Sequence, residues 1–134
     1  KHVYMGEKDF QQYLLIKKIL GKKFKIEIVG CPIVRDKNKI ALSTRNKLLN
    51  KDSVKKASNI ARKLISLKRN STIKKMKMPI NLFKIKSDFE KQYKVRVDYL
   101  EIRSEKNLEL NNFKSNYRLF IAYNINNVRL IDNF

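Results

Sequence analysis

Val3 to Met5 is a short apolar run closed by Gly6, which predicts the end of a buried strand. Asp9 stands at an N-cap position, and Phe10, Tyr13, Leu14, Lys17, Ile19 and Leu20 follow at helical spacing, so a helix is expected with Gly21 as its stop. From Phe24 to Val29 apolar and charged residues alternate before the run turns apolar, the signature of a second strand closed by Gly30. Cys31-Pro32 opens a loop reaching to about Arg45. Strand, helix, strand is a βαβ unit, which implies a parallel pair and a right-handed crossover.

The pattern then changes. Asp52 or Ser53 is a predicted helix cap, and Val54, Ala57, Ala61, Leu64 and Ile65 form an apolar stripe with Lys and Arg between them. Asn70-Ser71 is the expected end of that helix. Pro79 suits the first turn of the next, carried by Leu82, Phe83, Phe89 and Tyr93. Val95 to Ile102, Tyr117 to Ile125 and Val128 to Ile131 read as strands, the last two joined by Asn126-Asn127. Asn tolerates positive φ, so these two should form an antiparallel hairpin.

The organisation therefore divides near residue 46. Residues 1–46 read as the end of a larger α/β domain, because parallel strands are normally buried on both faces and one βαβ unit cannot cover them. Residues 47–134 read as a small α+β domain with an antiparallel sheet.

Composition narrows the chemistry. One cysteine (Cys31) and one histidine (His2) in 134 residues exclude a disulfide framework and a Cys/His zinc cluster. They leave no Ser-His-Asp site unless His2 takes part. No apolar run is long enough to span a membrane. A soluble, cytoplasmic protein in a reducing compartment is the expectation.

The charge is lopsided: 32 Lys and Arg against 12 Asp and Glu, a net +20. Residues 51–94 alone hold 14 basic and 3 acidic side chains, with Lys74, Lys75 and Lys77 at the densest point. Lysines that neutralise phosphates drive nucleic-acid binding by counterion release, so a binding module centred on residues 51–94 is the alternative function. Against it, 24 of the cations are Lys and 8 are Arg, the group that reads phosphates and bases bidentately. Nor do aromatics interleave with the basic run to form a stacking platform. A solvated basic surface is the preferred reading.

Two segments concentrate functional residue types. Gly6-Glu7-Lys8-Asp9, with Gln11 and Gln12, lies at the carboxyl end of a strand, the edge where open α/β sheets bind ligands. Free helix N–H groups and Lys8 favour phosphate there, and Asp9 can accept from ribose hydroxyls. A capped, solvated helix start fits the same residues. The second segment is Lys39-Ile-Ala-Leu-Ser43-Thr44-Arg45-Asn46, where two hydroxyls and an Arg follow an apolar anchor. These can wrap a triphosphate and offset charge on a pyrophosphate leaving group. A Ser-capped helix start with Arg45 exposed is the competing account. Each segment follows a strand of one βαβ unit, so the two are expected to converge on one crevice.

These residues carry a resemblance. Gly-Glu-Lys-Asp-Phe-Gln-Gln at 6–12, Ile-Val-Gly-Cys-Pro-Ile-Val-Arg at 28–35, Ala-Leu-Ser-Thr-Arg-Asn at 41–46 and Arg-Leu-Ile-Asp-Asn at 129–133 resemble, in order, the pantothenate synthetase (pantoate–β-alanine ligase) family. The chain corresponds to roughly its second half. The resemblance implies the C-terminal part of a Rossmann-like nucleotidyltransferase domain followed by a smaller α+β lid domain. It implies an ATP-dependent ligase that converts pantoate to a pantoyl adenylate with release of pyrophosphate, then lets β-alanine displace AMP. Mg²⁺ and a homodimer are implied as well.

Carried over residue by residue, the resemblance assigns Gly6, Glu7, Lys8 and Asp9 to ATP, with Lys8 at phosphate and Asp9 at the ribose. Gln12 would bind pantoate and the Val34 backbone would meet adenine. Leu42, Ser43, Thr44 and Arg45 match the family's Leu-Ser-Ser-Arg, the equivalent of the KMSKS loop of class I aminoacyl-tRNA synthetases. Lys8, Ser43 and Arg45 would stabilise phosphate charge. There are departures: Thr44 replaces a Ser, and Lys39 stands where Gly is common. The family's Met-Gly-x-Leu-His-x-Gly-His-type segment has no counterpart in these residues, so no catalytic acid or base is expected and the chain alone should not be a competent ligase. A noncatalytic nucleotide-binding remnant is a third reading.

Overall fold

The computed structural model describes residues 1–69, 81–110 and 116–134. The expected helix end at Asn70-Ser71, the Pro79 helix start and Lys74, Lys75 and Lys77 lie outside them. Two compact units make up the chain, Lys1–Val34 and Arg35–Phe134.

The first unit is the βαβ arrangement. Strand β1 (His2–Gly6) runs through a 3-10 turn (Glu7–Asp9) into helix α1 (Phe10–Phe24), and β2 (Glu27–Cys31) returns parallel to β1, with His2 opposite Glu27 and Gly6 opposite Cys31. Phe10, Tyr13 and Ile28 are its buried apolar residues. The apolar stripe of α1 is broader than that core: Leu15, Ile19, Leu20 and Phe24 stay exposed.

Two boundaries differ from expectation. Gly21 does not end the helix, which continues to Phe24 and stops at Lys25 in the left-handed region (φ 50°). A Cβ on Gly21 would lie 3.4 Å from the Ile26 carbonyl oxygen and 3.8 Å from Ile28 Cγ1, so the glycine sits where the chain returning to β2 passes close to the helix. Phe24 belongs to the helix rather than the strand. Asp9 precedes the first residue of α1, yet its side chain makes no capping hydrogen bond.

The second unit places α2 (Lys51–Arg69) and α3 (Leu82–Tyr93) with a three-stranded antiparallel sheet ordered β3 (Arg96–Ser104), β4 (Tyr117–Ile125), β5 (Val128–Asn133). Ala57, Ile60, Ala61 and Leu64 of α2 and Phe89 and Tyr93 of α3 join Val97, Leu100, Leu119, Ile121, Tyr123, Ile125, Val128 and Leu130 in one apolar core. Phe83, expected on the apolar stripe of α3, is instead exposed. Phe120 and Ala122, which alternate with the core residues of β4 and so face the other side of the sheet, are buried too.

Helix α2 is capped two to three residues earlier than predicted, by Asn50, whose Oδ1 accepts from the Ser53 N–H at 2.8 Å. Ser53 is freed from capping and fully buried, where its Oγ accepts from Asn126 Nδ2 at 2.8 Å. The Asn126-Asn127 hairpin forms as expected, with φ of 46° and 64°. The units part between Val34 and Arg35, ahead of the change in pattern near residue 46. The reason is local: Ile40 belongs to the second unit's core, and Arg35 is bound to β5.

Candidate functional site

The β1–α1 junction gathers Gly6, Glu7, Lys8, Asp9 and, one turn into the helix, Gln12. Gly6 has ordinary extended geometry (φ −68°, ψ 130°), and a Cβ added there would meet nothing within 4 Å. Neither backbone strain nor packing within the chain demands a glycine, so its bare Cα leaves open space beside the strand end. Asp9 and Gln12 are exposed, and Glu7 and Lys8 are half-buried. Opposite Glu7 lies Gly30 of β2: an added Cβ would stand 2.8 Å from Glu7 Oε1 and 3.0 Å from Tyr13 Cζ. This close packing sets the path of the junction. Tyr13 in turn accepts a hydrogen bond from Lys17 Nζ at 3.1 Å, so this lysine is held along the helix rather than at the strand edge. Val34, the last residue of the first unit, is exposed.

The second segment is a tight loop followed by a 3-10 turn. Arg35 and Ala41 form an antiparallel bridge, and Asp36 Oδ1 accepts from the N–H groups of Asn38 and Ile40, both at 2.9 Å. Lys39 completes the reversal at φ 69°, a conformation that favours glycine. The resemblance therefore departs at a position with a backbone requirement. Ile40 and Ala41 are buried and anchor the loop, after which Leu42 is exposed.

Ser43 is extended (φ −158°, ψ 148°), and its Oγ accepts from the Arg45 N–H at 3.3 Å, capping the turn Thr44–Leu48. Asn46 fastens this turn from below, its Nδ2 donating to the Ala41 carbonyl at 3.0 Å. Its Oδ1 is a buried acceptor with no partner among the described residues. Arg45 is exposed and donates Nη1 to the Arg129 main-chain oxygen at 3.2 Å. Leu42, Ser43, Thr44 and Arg45 thus share one turn with two hydroxyls and a guanidinium. The Ser-capped account and the anion-binding account describe the same geometry.

Lys39 stands apart from that turn. It lines a cleft of about 550 Å³ with Arg35, Asp36, Arg62, Ile65, Ser66 and Arg69, and none of residues 42–45 belongs to its wall. No group of three or more His, Cys, Asp or Glu side chains among the described residues is placed to hold a metal ion. No described helix is long and apolar enough to cross a membrane.

Residue-by-residue reading of the sequence missed Arg35 and Asp132. Arg35 donates Nη1 to Asp132 Oδ2 at 2.7 Å and Nη2 to Asp132 Oδ1 at 2.9 Å, a bidentate pair spanning most of the chain. The signal was present, since these residues sit in two of the four motifs that carry the resemblance.

The comparisons with known proteins agree with that resemblance. A family model described as pantoate-beta-alanine ligase matches residues 1–134. The pantothenate synthetase of Flavobacterium psychrophilum is 37% identical over 142 residues, covering 98% of this chain and 48% of the relative. That of Leptospira interrogans is 37% identical over 133 residues, covering 97% and 46%. Among solved structures, the Thermus thermophilus pantothenate synthetase superposes with a TM-score of 0.84 at 29% identity, over 99% of this chain and 49% of that one. The Francisella tularensis pantoate-beta-alanine ligase, complexed with beta-gamma ATP and beta-alanine, superposes with a TM-score of 0.70 at 32% identity, over 99% and 42%. The fold is accordingly an α/β segment continued by an α+β unit, and it matches that of the solved Thermus pantothenate synthetase over 99% of this chain. The chain belongs to the pantoate–β-alanine ligase family, and it spans about half the length of the curated relatives it matches.

Proposed function

We propose that this chain is the C-terminal half of an ATP-dependent ligase that condenses pantoate with β-alanine. The observation that carries the reading is the family match along all 134 residues. The Francisella relative, solved with beta-gamma ATP and beta-alanine, supports ATP and β-alanine as substrates.

In the first step a pantoate carboxylate oxygen attacks the α-phosphorus of ATP. The bond to the bridging oxygen breaks, and pyrophosphate leaves with the electron pair. In the second step the amine of β-alanine attacks the pantoyl carbonyl, AMP leaves with its phosphate oxygen, and the amine proton is lost to solvent or a base. This chain's part is electrostatic. Lys8 and Arg45, with the Ser43 and Thr44 hydroxyls, offset charge on the phosphates as it shifts toward pyrophosphate. The β1–α1 junction, Gly6 to Asp9, takes ATP where bare Cα and helix N–H groups allow close approach, with Asp9 at the ribose. Gln12 hydrogen-bonds pantoate, the Val34 main chain meets adenine, and Leu42 packs beside the nucleotide.

On this reading residues 1–46 carry the ATP-facing segments of a Rossmann-like nucleotidyltransferase domain, and residues 47–134 form the C-terminal α+β domain. Exposed Val3, Tyr4, Leu15 and Ile19 on a two-stranded parallel sheet and its helix suit burial by further elements of that domain. Mg²⁺, implied by the family resemblance, finds no group of three or more His, Cys, Asp or Glu side chains among the described residues placed to hold it. A cytoplasmic homodimer completes the reading by family resemblance. The matches give the nucleic-acid reading of residues 51–94 no support.

Pantoate-dependent ATP–pyrophosphate exchange tests the proposal. An enzyme joining these residues to a segment bearing the Gly-His motif should exchange label and form pantothenate, while the 134 residues alone should do neither. Exchange that proceeds without pantoate, or none by the longer enzyme, would overturn it.

A further inference from the structure

We propose that Arg35 and Asp132 are positioning residues for the Ser43–Arg45 turn, an inference that rests on that turn handling ATP phosphate. Their bidentate pair is only part of the fixture. Arg35 Nη2 also donates to the Asn133 carbonyl at 3.0 Å, its Nη1 donates to the Lys39 carbonyl at 3.0 Å, and its guanidinium carbon lies 4.4 Å from the centre of the Phe134 ring. One planar group therefore joins the end of β5 to both sides of the 35–41 loop. The site is sheltered, with side-chain exposures of 18% for Arg35 and 9% for Asp132.

The far side of the fixture is fixed in turn. Phe134 exchanges both main-chain hydrogen bonds with Leu119 at 2.9 Å, and Arg118 Nη1 donates to Asn133 Oδ1 at 2.8 Å. Asp132 is thus presented by a strand end registered in the sheet.

From Arg35 the constraint passes to the turn through named contacts. The Arg35–Ala41 bridge sets the loop's width, and the Ser58 hydroxyl donates to the Asn38 carbonyl at 2.7 Å to hold its tip on α2. Asn46 then ties the turn to the Ala41 carbonyl, and Arg45 reaches back to Arg129 of the same β5 strand. Strand β5 serves as the ruler against which Ser43 and Arg45 are placed. A charge-assisted fork is stiffer than a single hydrogen bond, and misplacing a charged group by about 1 Å costs a transition state up to ~10²-fold.

The test uses the full-length enzyme and pantoate-dependent ATP–pyrophosphate exchange, with Asp132→Asn, Arg45→Ala and the double variant. Asp132→Asn keeps the shape and removes the charge; kcat/KM for ATP should fall about 10- to 100-fold with the enzyme still folded at the assay temperature. The double variant should be little worse than Arg45→Ala alone, because Asp132 acts through the turn. Amide exchange at Ala41 to Arg45 should quicken in Asp132→Asn, and Asp132→Glu should restore part of the activity. If Asp132→Asn does not fold, Arg35→Lys, which keeps the charge and loses the fork, is read in the same way. Unchanged exchange per folded molecule, or fully additive losses in the double variant, overturns the positioning role while an impaired Arg45→Ala leaves the ATP reading intact. Unchanged exchange in Arg45→Ala removes both.

Discussion

Arg45 donates one guanidinium N–H to the Arg129 main-chain oxygen, 3.2 Å away, and leaves the rest of its fork on an exposed turn. Among the described residues a neutral acceptor of this kind satisfies little of a guanidinium's donor capacity, so the group can take an anion without surrendering an ion pair to any of them. In the full-length enzyme Arg45→Ala should lower pantoate-dependent ATP–pyrophosphate exchange by at least ~10²-fold, and Lys8→Ala by a similar factor. Arg45→Lys should recover part of the loss as a point charge. Wild-type exchange in both alanine variants would remove them from the mechanism.

Lys39 gives a prediction of opposite sign. Its φ of 69° places an L side chain in the left-handed region, at a conformational cost of roughly 1–2 kcal/mol. Glycine removes that cost but adds backbone entropy to the unfolded chain, so Lys39→Gly should stabilise the protein by about 0.5–1 kcal/mol. Urea unfolding at unchanged m-value measures it. If Lys39 instead serves ATP through its charge, Lys39→Gly will raise KM for ATP, whereas a purely conformational role leaves KM where it was.

Gly30 tests the packing beneath the β1–α1 junction. A Cβ there would press on Glu7 Oε1, which can swing aside, and on the buried Tyr13 ring, which cannot move as freely. Gly30→Ala should destabilise the protein by about 1–3 kcal/mol through overpacking and displace the Glu7 side chain. A thermal melt reads the first effect, and a weakened ATP KM the second. Gly6→Ala, with open space around its Cβ, should leave the melt nearly unchanged and still weaken ATP if the nucleotide passes there.

The sequence disclosed local geometry better than long-range contacts. The Asn126-Asn127 turn was legible because positive φ is a property of the residue type, and the apolar stripe of α2 because burial repeats with the helical period. Gly21 misled for a related reason: glycine also serves where another segment passes close, and Lys25 took the left-handed stop instead. Asn50 displaced Asp52 and Ser53 as the cap of α2 because a tertiary partner, Asn126, claims the Ser53 hydroxyl. Arg35 and Asp132 lie too far apart for any periodicity to connect them. Their link was visible only as two separate stretches sharing a family likeness, and the structure turns that likeness into a bond. Ser43 and Arg45 were legible as chemistry. The ruler that places them was not.

Asp98 carries the clearest pH signature. It is the extra residue where the β3–β4 register shifts between Val97 and Tyr99, and the bulge turns its carboxylate toward β4 and β5. Arg129 Nε donates to its Oδ2 and Asn124 Nδ2 to its Oδ1, each at 2.9 Å. The Arg129 hydrogen bond, helped by the charges of Arg129 and Arg96, holds its pKa below the ordinary carboxylate value of 3.8, against the opposing effect of desolvation. A pKa depressed on folding stabilises the native state above the unfolded value, and that contribution is lost as pH falls through the folded value. Stability from this group should therefore be flat near neutrality and decline in acid, beginning about one unit above the unfolded value of 3.8 and continuing down through the folded value. An NMR titration of the Asp98 carboxyl carbon should give a midpoint below that of an unpaired aspartate, and Arg129→Gln should move it upward. The same substitution keeps the main-chain oxygen that accepts from Arg45, so ATP–pyrophosphate exchange should stay within about twofold of wild type while the acid limb of stability shifts. A large loss of exchange in Arg129→Gln would mean that the side chain, and not only the strand's backbone, helps to place Arg45.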